Sequence, residues 1–264
     1  MKPHQRAIEA TARRAAHLHR TPAATGPLES KMGGVPYFPF DAPLDQGPDF
    51  RAAPTPWPKH PETGRELPLL LQVNFAEMPA IPSFPSGGLL QLYVDDHDWH
   101  GLDRHLRVVY HPAVDVVPDP RLHFQELGAA PEFRVTESRL HFTAVDELMG
   151  EADFRFAQTY AGTSFTAAEL SRTRRDYLSI TDHRFVHDPE LGRGRNKLGG
   201  YHYSQNAQDP RTGFEGWEDS VLLLQLQDYG ELSWGDGGAA QWFIRRVDLE
   251  ACDFSDLLFH WDST

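Results

Sequence analysis

The chain has 264 residues, with 25 Lys+Arg against 38 Asp+Glu and a formal net charge of −13 when histidine is neutral. A chain of this length buries roughly three-quarters of its unfolded surface, in one large domain or two small ones. Its 40% hydrophobic and 24% charged residues exclude the disordered, collagen-like and membrane-spanning classes. The acidic balance, without a dense lysine and arginine patch, argues against DNA or RNA as a partner. The single cysteine, Cys252, and the lack of a signal segment predict a cytoplasmic address.

In the first thirty residues Lys2, Arg6, Arg13, Arg14 and Arg20 outnumber Glu9 and Glu29. Ile8, Ala12, Ala15 and Leu18 recur at helical spacing, so residues 1–24 are expected to form an N-terminal amphipathic helix with its arginines in water, stopped by Thr21-Pro22. Proline and glycine dominate from Gly26 to Pro68, which predicts a long ordered loop. Its aromatic residues Tyr37, Phe38, Phe40, Phe50 and Trp57 suit a loop lying on the core rather than a solvated linker.

Leu69–Phe75 (LLLQVNF) and Leu89–Val94 (LLQLYV) read as buried strands bounded by turn residues, and Arg107–Val117 continues the strand-rich character. A weak helix is expected over Ala144–Met149. A better-signalled one starts at the Thr166/Glu169 capping box and runs through Leu170, Tyr177 and Leu178. Val221–Leu226 (VLLLQL) and Gln241–Val247 (QWFIRRV) read as further strands.

Three segments recur in the same order. KMGG at Lys31–Gly34 matches KLGG at Lys197–Gly200; LLLQ at Leu69–Gln72 matches LLLQ at Leu222–Gln225; GGLLQLYV at Gly87–Val94 matches GGAAQWFI at Gly237–Ile244. The offset shrinks along the chain, as loop insertions would make it. A duplicated β-rich unit follows, whose two copies close one core rather than two. The rival account is chance recurrence of Gly-Gly turns before apolar strands. Residues 1–264 are therefore read as one domain: helix 1–24, a first β-rich half 25–125, a connecting helical or loop segment 126–190, and a second β-rich half 191–264.

The order and spacing of several motifs carry a family likeness over nearly the whole chain. They are Gly33–Tyr37, Trp57-Pro58, LLLQVN, GGLLQLYV with the acidic loop after it, Leu198–Tyr201 (LGGY) with Gln205 following, LLLQL, WGDGG at Trp234–Gly238, and the ending at Asp248, Leu249 and Asp253–Ser255. By these the chain resembles the YwqG-like bacterial proteins, a domain of unknown function. His202 departs from the pattern, where a proline is expected after LGGY. The resemblance implies an α+β fold with extensive antiparallel or mixed sheet, internal pseudo-duplication, an N-terminal helix and one or two further helices. It implies no reaction, substrate or cofactor.

WGDGG is the densest candidate site: its glycines allow positive φ, and Asp236 either closes an Asx-type turn or points at a ligand beside a Trp234 wall. Gln72 and Gln225 stand at equivalent places in apolar strands, where a buried amide must find hydrogen bonds. Asn74, Gln91 and Gln241 repeat the theme, so a polar cluster between the halves, with His202 and Gln205 near it, is a candidate binding site. No metal is expected: Asp95–His100 reads as a solvated acidic turn, and His183 and His187 lack the glutamate of H-E-x-x-H. Cys252 has acidic neighbours that disfavour a thiolate, there is no G-x-S-x-G elbow, and Leu191–Gly200 lacks a phosphate-loop ending. No cofactor is expected.

With no nucleophile, metal cluster or cofactor fingerprint, the expected function is a non-enzymatic binding or interaction protein. Its partner would be basic, as in an immunity-type protein that neutralises a basic toxin. The alternatives are a hydrolase or lyase using Asp236 and His202 as an acid–base pair, or a small-molecule sensor, each with a site between the two halves.

Overall fold

The computed structural model describes residues 3–37, 58–95, 106–114, 135–150, 152–160, 169, 196–204, 209–228 and 230–263. The helix after Thr166, the histidines at 183 and 187, Gln205, most of the acidic turn before His100 and the middle of the proline-rich segment lie outside them.

Ten strands make one sheet: β1 (Arg13–Pro22), β2 (Lys31–Met32), β3 (Leu69–Asn74), β4 (Leu89–Tyr93), β5 (Arg107–His111), β6 (Ser138–Glu147), β7 (Lys197–Gly199), β8 (Ser220–Gln227), β9 (Ala239–Arg245) and β10 (Leu258–Asp262). Their spatial order is β10-β9-β8-β7-β1-β6-β2-β3-β4-β5, every pairing is antiparallel, and the sheet curls into a half-barrel. The helices among the described residues are short: α1 (Pro3–Glu9), α2 (Phe156–Thr159) and α3 (Arg246–Glu250).

The expected α+β class is therefore corrected to a mainly β fold. The expected N-terminal helix over 1–24 ends at Glu9, and its second half is β1, a central strand paired on one side with β6 and on the other with β7. Ala15, Ala16, His17 and Leu18 are buried in succession, which a one-sided helix does not produce but a strand covered on both faces does. The arginines read as a solvated face have partners: Arg14 Nη2 donates to Asp146 Oδ2 at 3.0 Å, and Arg20 Nη2 donates to Glu231 Oε1 at 3.1 Å. The weak helix over Ala144–Met149 is likewise absent. Residues 144–147 finish β6, held by ten paired positions along β1.

The strand order reads the same outward from the β1·β6 pair: β7, β8, β9 and β10 on one side stand as β2, β3, β4 and β5 on the other. The echoed segments occupy matching strands. Lys31 pairs with Gln72 and Lys197 with Gln225; Gln72 pairs with Gln91 and Gln225 with Gln241. Both copies even carry a register shift at the same place, between Leu69 and Leu71 and between Leu222 and Leu224. One continuous core joins the halves, with Leu18, Met32, Leu92, Leu198, Leu224, Trp234 and Trp242 all in it.

Candidate functional site

The buried amides hold loops. After β2 and β7, the glycine pairs Gly33/Gly34 and Gly199/Gly200 all take left-handed φ of 60° to 70°, turning the chain back over the sheet. That turn brings Tyr37 N to 2.8 Å from Gln72 Oε1, and Tyr203 N to 2.8 Å from Gln225 Oε1. The neighbouring strand completes each clasp, as Gln91 Nε2 donates to Tyr37 O at 2.7 Å and Gln241 Nε2 to Tyr203 O at 2.5 Å. Gln72 Nε2 also donates to Pro27 O and Glu29 O, both at 2.9 Å. Asn74 caps a 3-10 turn, its Oδ1 accepting from Ala76 N at 3.0 Å while Nδ2 donates to Leu28 O at 2.9 Å. Gln72, Gln91, Gln225 and Gln241 have no exposed surface, so no ligand reaches them.

The two equivalent lysines differ. Lys197 Nζ sits 2.8 and 2.7 Å from the two oxygens of Glu147, which also meets His17 Nε2 at 2.7 Å and accepts from Tyr201 N at 2.8 Å. Burial alone would raise Glu147, but the Lys197 charge and the His17 bond outweigh it and hold the carboxyl below its usual range. Lys31, fully buried, donates to the carbonyls of Gly26 at 2.6 Å and Val35 at 2.8 Å. Burial pushes its ammonium down to about 8, against the pull of Glu137 and Glu77.

WGDGG divides between core and surface. Trp234 is fully buried edge-on to Trp242, and its N–H donates to Asp228 Oδ1. Gly235 and Gly237 take positive φ, and a Cβ at Gly238 would lie 2.1 Å from Trp234 O. Asp236 is exposed on this turn, before β9 begins.

His202 lies elsewhere. It packs edge-on against Phe243, four residues into β9, which is about 13 Å of strand from its start. The structure does not bring Asp236 and His202 together. The carboxylates that bear on His202 are Asp209 and Asp153, with Arg211 between them. Asp209 is the N-cap of the 3-10 turn Pro210–Gly213, and its Oδ1 accepts from Arg211 N at 3.1 Å and Arg211 Nε at 2.9 Å. Its Oδ2 accepts from Arg211 Nη2 at 2.6 Å and from Phe154 N at 3.0 Å. Asp153 accepts from Arg155 N, Nε and Nη2 at 2.6 to 3.0 Å and from Arg211 Nη2 at 3.1 Å.

Burial by itself would raise both carboxyls, yet the arginine hydrogen bonds and charges prevail and hold both below the usual range. His202 is pushed the other way: burial lowers it to about 4 against the pull of Asp209, so the ring is neutral near pH 7.

Arg211 is sandwiched between the rings of Phe154 and Phe243, at 5.0 and 5.2 Å. It also forms the floor of an open cavity of about 380 Å³ lined with Phe154, Thr212, Phe214, Glu215 and Glu218. Phe214 is 48% exposed there, and both glutamates are exposed. A second cavity, at the seam of the halves among Leu18, Arg20, Met32, Leu140 and Leu226, is about 10 Å³, the size of one water. The sequence reading missed Asp153, Asp209, Arg211 and the cavity residues. Asp209-Pro210 was the available signal, a cap residue followed by proline at the first position of a helical turn.

No helix among the described residues is long and apolar enough to cross a membrane. A search of curated proteins finds no match to the chain. Residues 30–263 match the family described as Domain of unknown function (DUF1963), a span that takes in every strand except β1, the strand that joins the two halves. By that match the chain belongs to the DUF1963 family.

Proposed function

We propose that this protein is a non-enzymatic binding module whose cavity beside Arg211 takes a cationic group of a basic partner, the role an immunity-type protein plays toward a basic toxin. The observation that carries this reading is the lining of the 380 Å³ cavity, where two phenylalanine rings face two exposed glutamates. A lysine or arginine side chain presents the complementary chemistry, a cation for the ring face and donors for the carboxylates. The net charge of −13 adds long-range attraction for such a partner. Arg211 does not oppose it, because its charge is met by Asp153 and Asp209 and its Nη1 donates to Ser220 O at 3.0 Å. A cytoplasmic, bacterial setting and kinship with the YwqG-like proteins belong to the same proposal, supported by the lone Cys252 and by the order of the motifs from Gly33 to Ser255.

The test is titration calorimetry with a lysine- and arginine-rich peptide and its glutamate-substituted counterpart, at low and at physiological salt. The basic peptide binds and weakens with salt, and the acidic one does not bind. Replacing Glu215 and Glu218 by Gln, or Phe214 by Ala, weakens binding by about fivefold to tenfold, as rim charges and an exposed cation–π contact each contribute about 0.5–1 kcal/mol. Equal affinity in wild type and the combined variant would refute the reading.

A further inference from the structure

Asp153, His202 and Asp209 come from three separate places: the turn before α2, the loop after β7 and the cap of the 3-10 turn Pro210–Gly213. All three are buried, and each offers one ligand atom within 4.8 Å of the other two. The side chain of His202 has no exposed surface, and neither of its ring nitrogens has a hydrogen-bond partner. Such a buried imidazole loses its bonds to water and gains none inside, a cost of about 1–3 kcal/mol for each orphaned group. Its Nδ1 stands 3.8 Å from Asp209 Oδ2, too far for a hydrogen bond. That separation suits two atoms bound to one ion, since zinc–nitrogen and zinc–oxygen bonds are each about 2.0–2.2 Å.

The carboxylates are already oriented. Asp153 Oδ1 is fixed by Arg155 N and Nε, and Asp209 Oδ1 by Arg211 N and Nε, which leaves both Oδ2 atoms facing a common point. A cation stands at that point, the Nη2 of Arg211, 2.6 Å from Asp209 Oδ2 and 3.1 Å from Asp153 Oδ2. The geometry points to a site for a divalent transition-metal ion, typified by zinc, bound by Asp153, His202 and Asp209 in exchange for Arg211 Nη2. One imidazole and two carboxylates select zinc or cobalt over magnesium and calcium, which take oxygen ligands. Exchange rather than addition follows from charge: two guanidiniums already neutralise the two carboxylates, so an added dication would be buried without compensation. Room for the displaced guanidinium exists in the open cavity that Arg211 lines. The inference does not depend on the nature of any protein partner.

The experiment titrates chelator-treated protein with cobalt(II), read by visible absorption, and with zinc(II), read by calorimetry. The wild type takes up one tight equivalent with the intense absorption of a four- or five-coordinate site. His202→Phe keeps the ring contact with Phe243 and loses that equivalent while its Tm shows it folded. Asp153→Asn weakens uptake by about 10- to 100-fold, and Arg211→Met, which removes the competing internal cation, tightens it by about tenfold. Equal uptake by wild type and His202→Phe would mean surface-histidine binding and overturn the proposal. So would the lack of a tight equivalent in both wild type and Arg211→Met.

Discussion

The clasp over β3 makes a sharp stability prediction. Gln72 has no exposed surface, and its side chain makes four hydrogen bonds: it accepts from Tyr37 N at 2.8 Å and Gln91 Nε2 at 2.9 Å, and donates to Pro27 O and Glu29 O at 2.9 Å. Gln72→Leu keeps the volume and β propensity of the position but orphans one backbone donor and two backbone acceptors. Each orphaned buried group costs about 1–3 kcal/mol, and partial loop relaxation that admits water lowers the sum, so the expected loss is about 3–5 kcal/mol. That is a large share of the ~5–15 kcal/mol that holds a domain folded. Equilibrium urea unfolding followed by tryptophan fluorescence measures it, as a lowered midpoint at unchanged slope. Gln225→Leu is the internal control, because Gln225 Oε1 holds Tyr203 N at the same 2.8 Å in the other half, and it is expected to lose stability in the same range. A loss under about 1 kcal/mol for Gln72→Leu would refute the reasoning and show that the Tyr37 loop is held by something other than this amide.

Lys31 should leave a mark at alkaline pH. Its folded value of about 8 lies below the ordinary 10.5, so the stability tied to its neutral form is complete above 10.5 and lost as pH falls to about 8. The difference is on the order of 3 kcal/mol, and Lys31→Met should flatten the stability profile between pH 8 and 10.5; an unchanged profile counts against the burial argument. At the acid end, Asp153 and Asp209 are held below the usual carboxylate range, so their contribution is present above about pH 4 and lost as pH falls further. Arg211→Met should reduce that acid dependence in unfolding measured from pH 6 to pH 2, and a profile parallel to wild type contradicts it. Gly238→Ala places a Cβ 2.1 Å from Trp234 O and 2.6 Å from Asp262 O, which should cost about 3 kcal/mol or prevent folding. Gly213→Ala meets nothing within 4 Å and should change thermal stability by no more than about 0.5 kcal/mol; similar effects for the two glycines would show that close approach at WGDGG is not what the sequence protects.

Each clasp pairs a left-handed glycine turn with a buried glutamine because the two solve one problem. A chain folded back across a sheet carries backbone donors into a dry region, where only a side chain reaching up from the strand below meets them. WGDGG is a packing device of the same kind, since it seats Trp234 in the core and lets β9 start against β10 without a side chain at Gly238. These motifs are dense in the sequence for reasons of architecture, whereas the residues with unmet chemistry, His202 above all, sit in ordinary-looking loops.

The sequence by itself determined the strands that are apolar throughout, β3, β4, β8 and β9, because a short run buried on both faces needs no partner to be recognised. It also carried the echo between Lys31–Val94 and Lys197–Ile244, since equivalent strands demand the same turn glycines and the same amides. Only the tertiary structure decided that Arg13–Pro22 is a strand: its alanines fit a helix equally well, and the choice was made by β6 and β7 on either side. The same holds for Asp153, His202, Asp209 and Arg211. No spacing links residues 153, 202 and 211, and their meeting depends on where β7 and β8 place two loops beside the turn before α2. Local pattern records what one segment needs, and long-range pairing decides which segments meet.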